Sequence, residues 1–379
     1  MLWSGAMRLW RAHRAWLLTL AGLGAGCGAS APTAPTASAA TTLRERVDQE
    51  ITPGIQSGRW SSVVVGVYDR GQRDVFAYGR ARDNGLPDGR TLYEIGSVTK
   101  TFTAALLVGL DREGLLGLTD PVRRHLPKGV GVPTFQGQEI TLQQLSTHVS
   151  GLPRLPDDLT TTPGFDETDP YAHYSPDLLY RFLGRYTLTR APGASYEYSN
   201  LGVGLLGQSL AWQLDTSYEE AVLARVIAPL GLADTRITLS GEQQARLATG
   251  HASNGTPVPY WTFDALAGAG ALRSSAEDLL SYVAANLGRG PSPLTADLAA
   301  CHAPRYTAPD GSFQVGLGWH MSALPAAGPV HVWHDGGTGG FTSYVGFVKG
   351  RDAGVVVLSG SANAVAEPAR NILAFVASR

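Results

Sequence analysis

Tyr93-Glu94-Ile95-Gly96-Ser97-Val98-Thr99-Lys100-Thr101-Phe102-Thr103-Ala104-Ala105 reads as an extended entry, a glycine, and a helix whose first turn carries Ser97 and Lys100. Residues three apart on a helix share a face, so a hydroxyl and an amine at these positions can meet. A serine beside an amine base is one route to a nucleophile at neutral pH. An average Ser-x-x-Lys is only a helix cap followed by a solvated lysine. Composition shifts the reading here, because the chain has 27 arginines and three lysines, Lys100, Lys128 and Lys349. Arginine cannot give up its proton, whereas a partly buried lysine can.

Working outward, the helix opened by Ser97 continues through Phe102, Leu106, Leu107 and Leu110 and stops near Gly114. Upstream, Leu43, Val47 and Ile51 have helical spacing. Residues 62–68 and 74–78 read as a β-hairpin around Asp69-Arg70-Gly71-Gln72. Downstream, Thr141–Leu145 starts a short helix, and apolar spacing with Pro and Gly breakers predicts helices over 176–184, 201–214, 217–229 and 275–288. The last quarter turns to strands over 315–320, 330–334, 341–348 and 354–359, then to an amphipathic helix bearing Val365, Ala369, Ile372, Leu373 and Val376. Strands at both ends with helices between them predict an α/β (α+β) fold. A mostly antiparallel sheet is flanked by the N- and C-terminal helices, an all-helical lobe is inserted, and a cleft lies between.

At 379 residues the chain can bury one large core or two smaller ones. Net charge is −2 and no basic block is interleaved with aromatics, which argues against a nucleic-acid partner. Arg8, Arg11 and Arg14 precede the apolar run 15–23, too short to span a bilayer as a mature helix. Leu23-Gly24-Ala25-Gly26-Cys27 resembles a bacterial lipobox with Cys27 as the lipidated residue, and Ala37-Ser38-Ala39 offers a competing site for plain secretion. Residues 1–27 are therefore expected to be an export signal and 28–42 a flexible Ala/Pro/Thr linker. The folded domain is expected over 43–379, periplasmic, membrane-anchored or secreted, with membrane contact only through a lipid on Cys27. With Cys27 lipidated or removed, Cys301 stands alone and no intramolecular disulfide supports the fold.

Two further stretches carry chemistry. In Pro192-Gly193-Ala194-Ser195-Tyr196-Glu197-Tyr198-Ser199-Asn200-Leu201 a turn leads into an apolar helix. Ser199 or Asn200 reads as an N-cap behind a packed tyrosine, or else Tyr198 passes protons and Asn200 holds a substrate carbonyl. In Val330-His331-Val332-Trp333-His334-Asp335-Gly336-Gly337-Thr338-Gly339-Gly340-Phe341 the glycines after a strand leave its edge open to a ligand backbone. His331 and His334 without a third ligand are weak grounds for a metal. Gly202-Val203-Gly204-Leu205-Leu206-Gly207 has dinucleotide-like spacing, but it falls inside a helix with no βαβ context, so it reads as helix packing.

Taken in this order, the Ser-x-x-Lys, Tyr-x-Asn and His-x-Gly segments resemble the serine β-lactamase-like, or penicillin-recognising, hydrolases. The closest branch is the class C β-lactamase type, with its D-alanyl-D-alanine carboxypeptidases and esterases. The resemblance spans about 43–379 and includes Leu145-Ser146-Thr147-His148-Val149-Ser150-Gly151-Leu152-Pro153, Gly268–Leu279 and Gly316-Leu317-Gly318-Trp319. The stretch from Val132 through Leu142 looks most like the AmpH-type carboxypeptidases. The resemblance implies Ser97 as acylated nucleophile, Lys100 as its base and Tyr198 as proton relay. Asn200 would orient the substrate, and the N–H groups of Ser97 and Gly337 would form the oxyanion hole. His334 stands in the third motif, with Gly336 keeping the strand open. Neither a metal nor an organic cofactor is implied, and the partner is a small molecule or a peptidoglycan peptide. A lysine is usual in the third motif of β-lactamases and D,D-carboxypeptidases, where its fixed charge helps bind the substrate carboxylate. A histidine there is partly charged near neutral pH, helped by Asp335. Activity on carboxylate-bearing substrates is therefore expected to fall as pH rises through the histidine range. His334 also raises the case for an esterase or a D-aminopeptidase-like hydrolase. A non-catalytic surface binding protein is the alternative of another class.

Overall fold

The structure, a computed structural model, describes residues 41–83, 85–290 and 292–379. The expected export signal with Cys27, and residues 28–40 of the expected linker, lie outside the described residues. Order begins before residue 43. Thr42 accepts from the Glu45 N–H, and the Glu45 carboxylate takes the Thr42 N–H at 2.8 Å, a reciprocal cap on the first helix.

Among the described residues the helices are α1 (Leu43–Gln56), α2 (Thr99–Arg112), α3 (Leu142–Ser146), α4 (Pro176–Arg185), α5 (Asn200–Gln213), α6 (Tyr218–Val222), α7 (Gly241–Ala245), α8 (Ala276–Asn286), α9 (Thr295–Cys301) and α10 (Ala366–Ala377). The strands are β1 (Ser62–Asp69), β2 (Gln72–Gly79), β3 (Tyr93–Glu94), β4 (Gly250–His251), β5 (Pro257–Val258), β6 (Arg273–Ser274), β7 (Tyr306–Thr307), β8 (Gln314–Val315), β9 (His320–Ala323), β10 (Val330–Gly337), β11 (Thr342–Val348) and β12 (Ala353–Ser359). Eight of them form one antiparallel sheet in the order β2-β1-β12-β11-β10-β9-β8-β7. β1 lies beside β12 with Val65 opposite Val357, so strands from the two ends of the domain pair directly.

The sheet is covered on both faces, which is why β1 and β12 read as continuous valine runs. Val63, Val65, Val67, Val355 and Val357 pack with Val47 and Ile51 of α1 and Ile372 and Leu373 of α10. Their alternate neighbours Val64, Val356 and Leu358 join the core on the helical side. There α8 comes so close that a Cβ on Gly66 would lie 2.9 Å from Leu280. Arg70 and Gly71, both at positive φ (49° and 91°), make the two-residue turn of the β1–β2 hairpin.

Two elements differ from expectation. A single strand is expected over 315–320, but β8 and β9 are separated by a turn at Gly318 (φ +68°). A Cβ on Gly318 would stand 2.6 Å from the Lys100 carbonyl oxygen, so this glycine lets the turn press against α2. The helix expected over 217–229 is α6 continued by a π-helical segment, Leu223–Ile227.

Candidate active site

β3 pairs with β6, and the buried Glu94–Arg273 ion pair (3.1 Å) ties the two strands together. The chain then turns at Gly96 (φ +48°), where a Cβ would fall 2.7 Å from the Gly337 nitrogen. Gly96–Val98 form a 3₁₀ turn, and α2 begins at Thr99, so Ser97 stands just before the α-helix rather than within its first turn. Ser97 is partly exposed, while Lys100 is fully buried. Lys100 Nζ donates to Ser97 Oγ at 2.9 Å and to the Ala269 carbonyl at 2.7 Å. Burial, then the nearby Arg154 charge, hold the Lys100 pKa well below the ordinary lysine value. The neutral amine, with a lone pair for a proton, is thereby favoured.

Ala269 reaches Lys100 because α5 is glycine-lined. A Cβ on Gly204 would collide with Leu266, and one on Gly207 would lie 3.0 Å from Gly268 Cα. The dinucleotide-like spacing is a close-packing surface that seats the 267–269 turn under the lysine.

Ser199 caps α5, accepting from the Gly202 N–H at 2.8 Å and donating to the Pro153 carbonyl at 2.6 Å. The cap does not displace the chemistry, because it points Tyr198 at the serine. Lys100 Nζ lies 4.9 Å from the ring centroid, and the phenol is near enough to Ser97 for that hydroxyl to act on its pKa. Burial raises the Tyr198 pKa, with the Ser97 contact opposing, so the resting phenol keeps its proton. Asn200, the first residue of α5, makes a long 3.5 Å contact from Nδ2 to Tyr171 Oη, and its buried Oδ1 has no partner.

His334 reaches the same place from β10, with its ring 6.1 Å from that of Tyr198. The expectation of a partly charged imidazole does not hold. His334 is fully buried, its Nδ1–H donates to the Asp335 carbonyl at 2.6 Å, and Nε2 is left without a partner. Burial, then His320 and Lys100, push its pKa well below the usual histidine value. Asp335 is the next residue on a strand, so its side chain projects to the other face. The expected loss of activity through the histidine range therefore has no titrating group at His334. His331, three residues earlier, also faces away from His334, and is satisfied by the Ser322 carbonyl (2.7 Å) and Tyr344 Oη (2.8 Å).

Gly336 serves a different end from the expected open strand edge. A Cβ there would collide with the Ile95 carbonyl oxygen and come 2.5 Å from Ser343 Oγ, which itself donates to Ile95 O at 2.8 Å. The glycine lets the chain's own backbone approach, two residues before Ser97. The open position is Gly337, where a Cβ would meet only the Phe341 carbonyl oxygen at 3.9 Å. Gly336→Ala is expected to cost about 1–3 kcal/mol by overpacking and to slow Ser97 acylation by up to about 10²-fold through displacement of Ile95. Thermal melts and acylation rates check this. Wild-type values in both would mean that the β10–Ile95 contact yields freely.

Sequence reasoning assigned no role to several groups that shape the site. His148 (φ +60°) stacks on Tyr198 at 4.4 Å, its Nδ1 accepts from the Ser199 N–H at 3.1 Å, and its carbonyl accepts from the Glu197 N–H at 2.8 Å. It therefore grips the chain on both sides of the tyrosine. His320 hydrogen-bonds Tyr196 Oη at 2.8 Å and stacks on Trp333, and burial with the Lys100 charge lowers its pKa to about 4. Arg154 lies with Cζ 5.1 Å from the Tyr198 ring centroid. A cavity of about 750 Å³ lined by Ile237, Leu239, Tyr260, Trp261 and Phe263 lies beside the site, with Ser97 outside its lining.

A hydroxyl held by a buried, proton-poor amine with a protonated phenol alongside is the equipment of a serine enzyme for acyl transfer. Comparison with known proteins places the chain more closely. The family model described as Beta-lactamase matches residues 47–378, and the chain belongs to that family. It is 32% identical over 355 residues to a β-lactamase of Pseudomonas fluorescens, covering 84% of this chain and 94% of that protein. It is 29% identical over 306 residues to the D-alanyl-D-alanine-carboxypeptidase/endopeptidase AmpH of Escherichia coli (strain K12), covering 77% of each. The solved structure of a β-lactamase/D-alanine carboxypeptidase from Yersinia pestis matches with a TM-score of 0.76 at 26% identity, over 90% of this chain and 99% of that one. The protein is a serine hydrolase of this fold.

Proposed function

We propose that the protein is an exported serine hydrolase that forms an acyl-enzyme at Ser97 and acts on D-alanyl peptides of peptidoglycan or on β-lactams. The observation that carries the reading is the 2.9 Å contact between Ser97 Oγ and a fully buried Lys100 whose charged form is disfavoured. Neutral Lys100 takes the Ser97 proton as Oγ bonds to the substrate carbonyl carbon. The N–H groups of Ser97 and Gly337 stabilise the charge that develops on the carbonyl oxygen. Tyr198 relays the proton from Lys100 to the leaving nitrogen as the C–N bond breaks. Water then adds to the acyl-enzyme ester, returning a proton to Ser97 Oγ through the same groups and releasing the acid. Asn200 offers its unpartnered Oδ1 to a substrate N–H. The names of the relatives, a β-lactamase and a D-alanyl-D-alanine-carboxypeptidase/endopeptidase, support the two substrate classes. Export rests on Arg8, Arg11, Arg14 and the apolar run before Cys27, the proposed lipid attachment point. Among the described residues no helix is long and apolar enough to cross a membrane.

A carboxylesterase on the same fold is the second reading, favoured by the neutral His334, which puts no fixed cation in the third motif. A screen read out by trapped acyl-enzyme mass separates the two. The main reading expects a Ser97 adduct from penicillins and release of D-alanine from D-alanyl-D-alanine peptides. Turnover of short p-nitrophenyl esters with neither of those results would replace it with the esterase. No adduct from any substrate would leave a binding protein.

A further inference from the structure

We propose that Arg154 is the residue that binds a carboxylate of the substrate at the cleft. This deepens the acyl-enzyme reading and rests on it. The backbone of Arg154 is anchored to the segment that presents the tyrosine, since its carbonyl accepts from the N–H groups of Asn200 (3.0 Å) and Leu201 (3.2 Å). Its side chain is left exposed, with Cζ 5.1 Å from the Tyr198 ring centroid. Among the described residues no carboxylate lies within ion-pair distance of its guanidinium. By contrast, Arg190 is paired with Glu197, Arg185 with Asp157 and Asp158, and Arg273 with Glu94.

The remaining basic groups about Tyr198 are unsuited to hold an anion. Lys100 has to be neutral to act as a base, and burial disfavours the charged forms of His148, His320 and His334. Arg154 offers a planar fork that matches a carboxylate. It is also near enough for its charge to act on Lys100, which places it within a substrate's length of the nucleophile. A carboxylate bound there would partly cancel that influence on the lysine, so the guanidinium and the base are electrically linked. The class of substrate implied is an acyl compound with a free carboxylate near its scissile bond, on the leaving group or fused beside it.

The test compares two substrates that differ only in that charge, a D-alanyl thioester of thioglycolic acid and its methyl ester. In Arg154→Ala the ratio of kcat/KM, acid over ester, is expected to fall about 10- to 100-fold. Arg154→Lys should recover part of the ratio, because it restores the charge without the fork. An unchanged ratio, or equal losses on both substrates, would overturn the proposal while leaving the nucleophile assignment intact. If the wild type turns over neither thioester and fluorophosphonate leaves no adduct on Ser97, the acyl-enzyme reading fails and this proposal fails with it. If the adduct forms without turnover, acylation rates of the same pair give the ratio.

Discussion

Ser97→Ala is expected to lose all covalent labelling by a fluorescent penicillin or a fluorophosphonate, and turnover should drop by about 10⁴- to 10⁶-fold. The size of the loss follows from what the hydroxyl does. In the proposed mechanism it is the atom that bonds to the substrate, and Lys100 Nζ stands 2.9 Å from it. Among the described residues the thiol of Cys301 offers no replacement, because it is buried and burial pushes its pKa up to about 12. The fold should persist, because Ser97 is partly exposed and Lys100 retains the Ala269 carbonyl as an acceptor. A melting temperature within a few degrees of wild type, together with lost labelling, is the expected pair of results. Labelling of both proteins to the same extent, read as adduct mass on the intact chain, would end the assignment of Ser97 as nucleophile.

The contact between Ser97 and Lys100 was legible in the sequence because its signal is local. A lysine three residues after a serine, in a chain that otherwise writes arginine, states a spacing and a chemistry at once. The sheet was legible for a similar reason: two valine-rich runs at opposite ends of the domain need a partner and cover on both faces, and β1 and β12 pair with each other while α1 and α10 cover one face and α8 the other. What the sequence hid depends on direction and burial. His334 and Asp335 are adjacent in the text, yet strand alternation sends them to opposite faces, and the imidazole ends neutral and fully buried. Gly336 read as an opening for a ligand because nothing in a sequence says which backbone comes near. The neighbour is Ile95, some 240 residues earlier in the chain. His148, His320 and Arg154 come from segments far from Tyr198 and meet at its ring only after folding. The motif that carried His148 was visible, but its grip on Glu197 and Ser199 was not.

Lys100→Met is expected to be nearly inactive and yet more stable than wild type at neutral pH. The activity loss should be about 10³- to 10⁴-fold, the scale for removing a general base, because methionine fills the space and cannot take the Ser97 proton. The stability gain follows from linkage. In the unfolded chain Lys100 titrates near its ordinary value of 10.5, and in the fold its pKa is held well below that. Between the two values the unfolded chain binds a proton that the native protein does not, so native stability rises with pH across that window. Below it the penalty is present in full, and above 10.5 it is gone. At pH 7 the wild type therefore carries a cost that methionine removes, offset in part by the Ala269 carbonyl losing its donor. A melting temperature roughly 1–3 °C higher is expected at pH 7, and the advantage should shrink as pH approaches 10.5. Lys100→Arg gives the opposite stability result with the same lost activity. Its guanidinium cannot shed a proton, and an unpaired charge in this site costs several kcal/mol, roughly 3–5 by analogy with broken buried pairs. Kinetics on both variants and melts at pH 7 and 10 check the pattern. Wild-type turnover in the methionine variant would remove the amine from the mechanism. A methionine variant that melts below wild type by the same margin at both pH values would mean that Lys100 is not held neutral by the fold. The trade between stability and activity is then the physical signature of a base: the cost of burying the amine is what keeps it ready for the Ser97 proton.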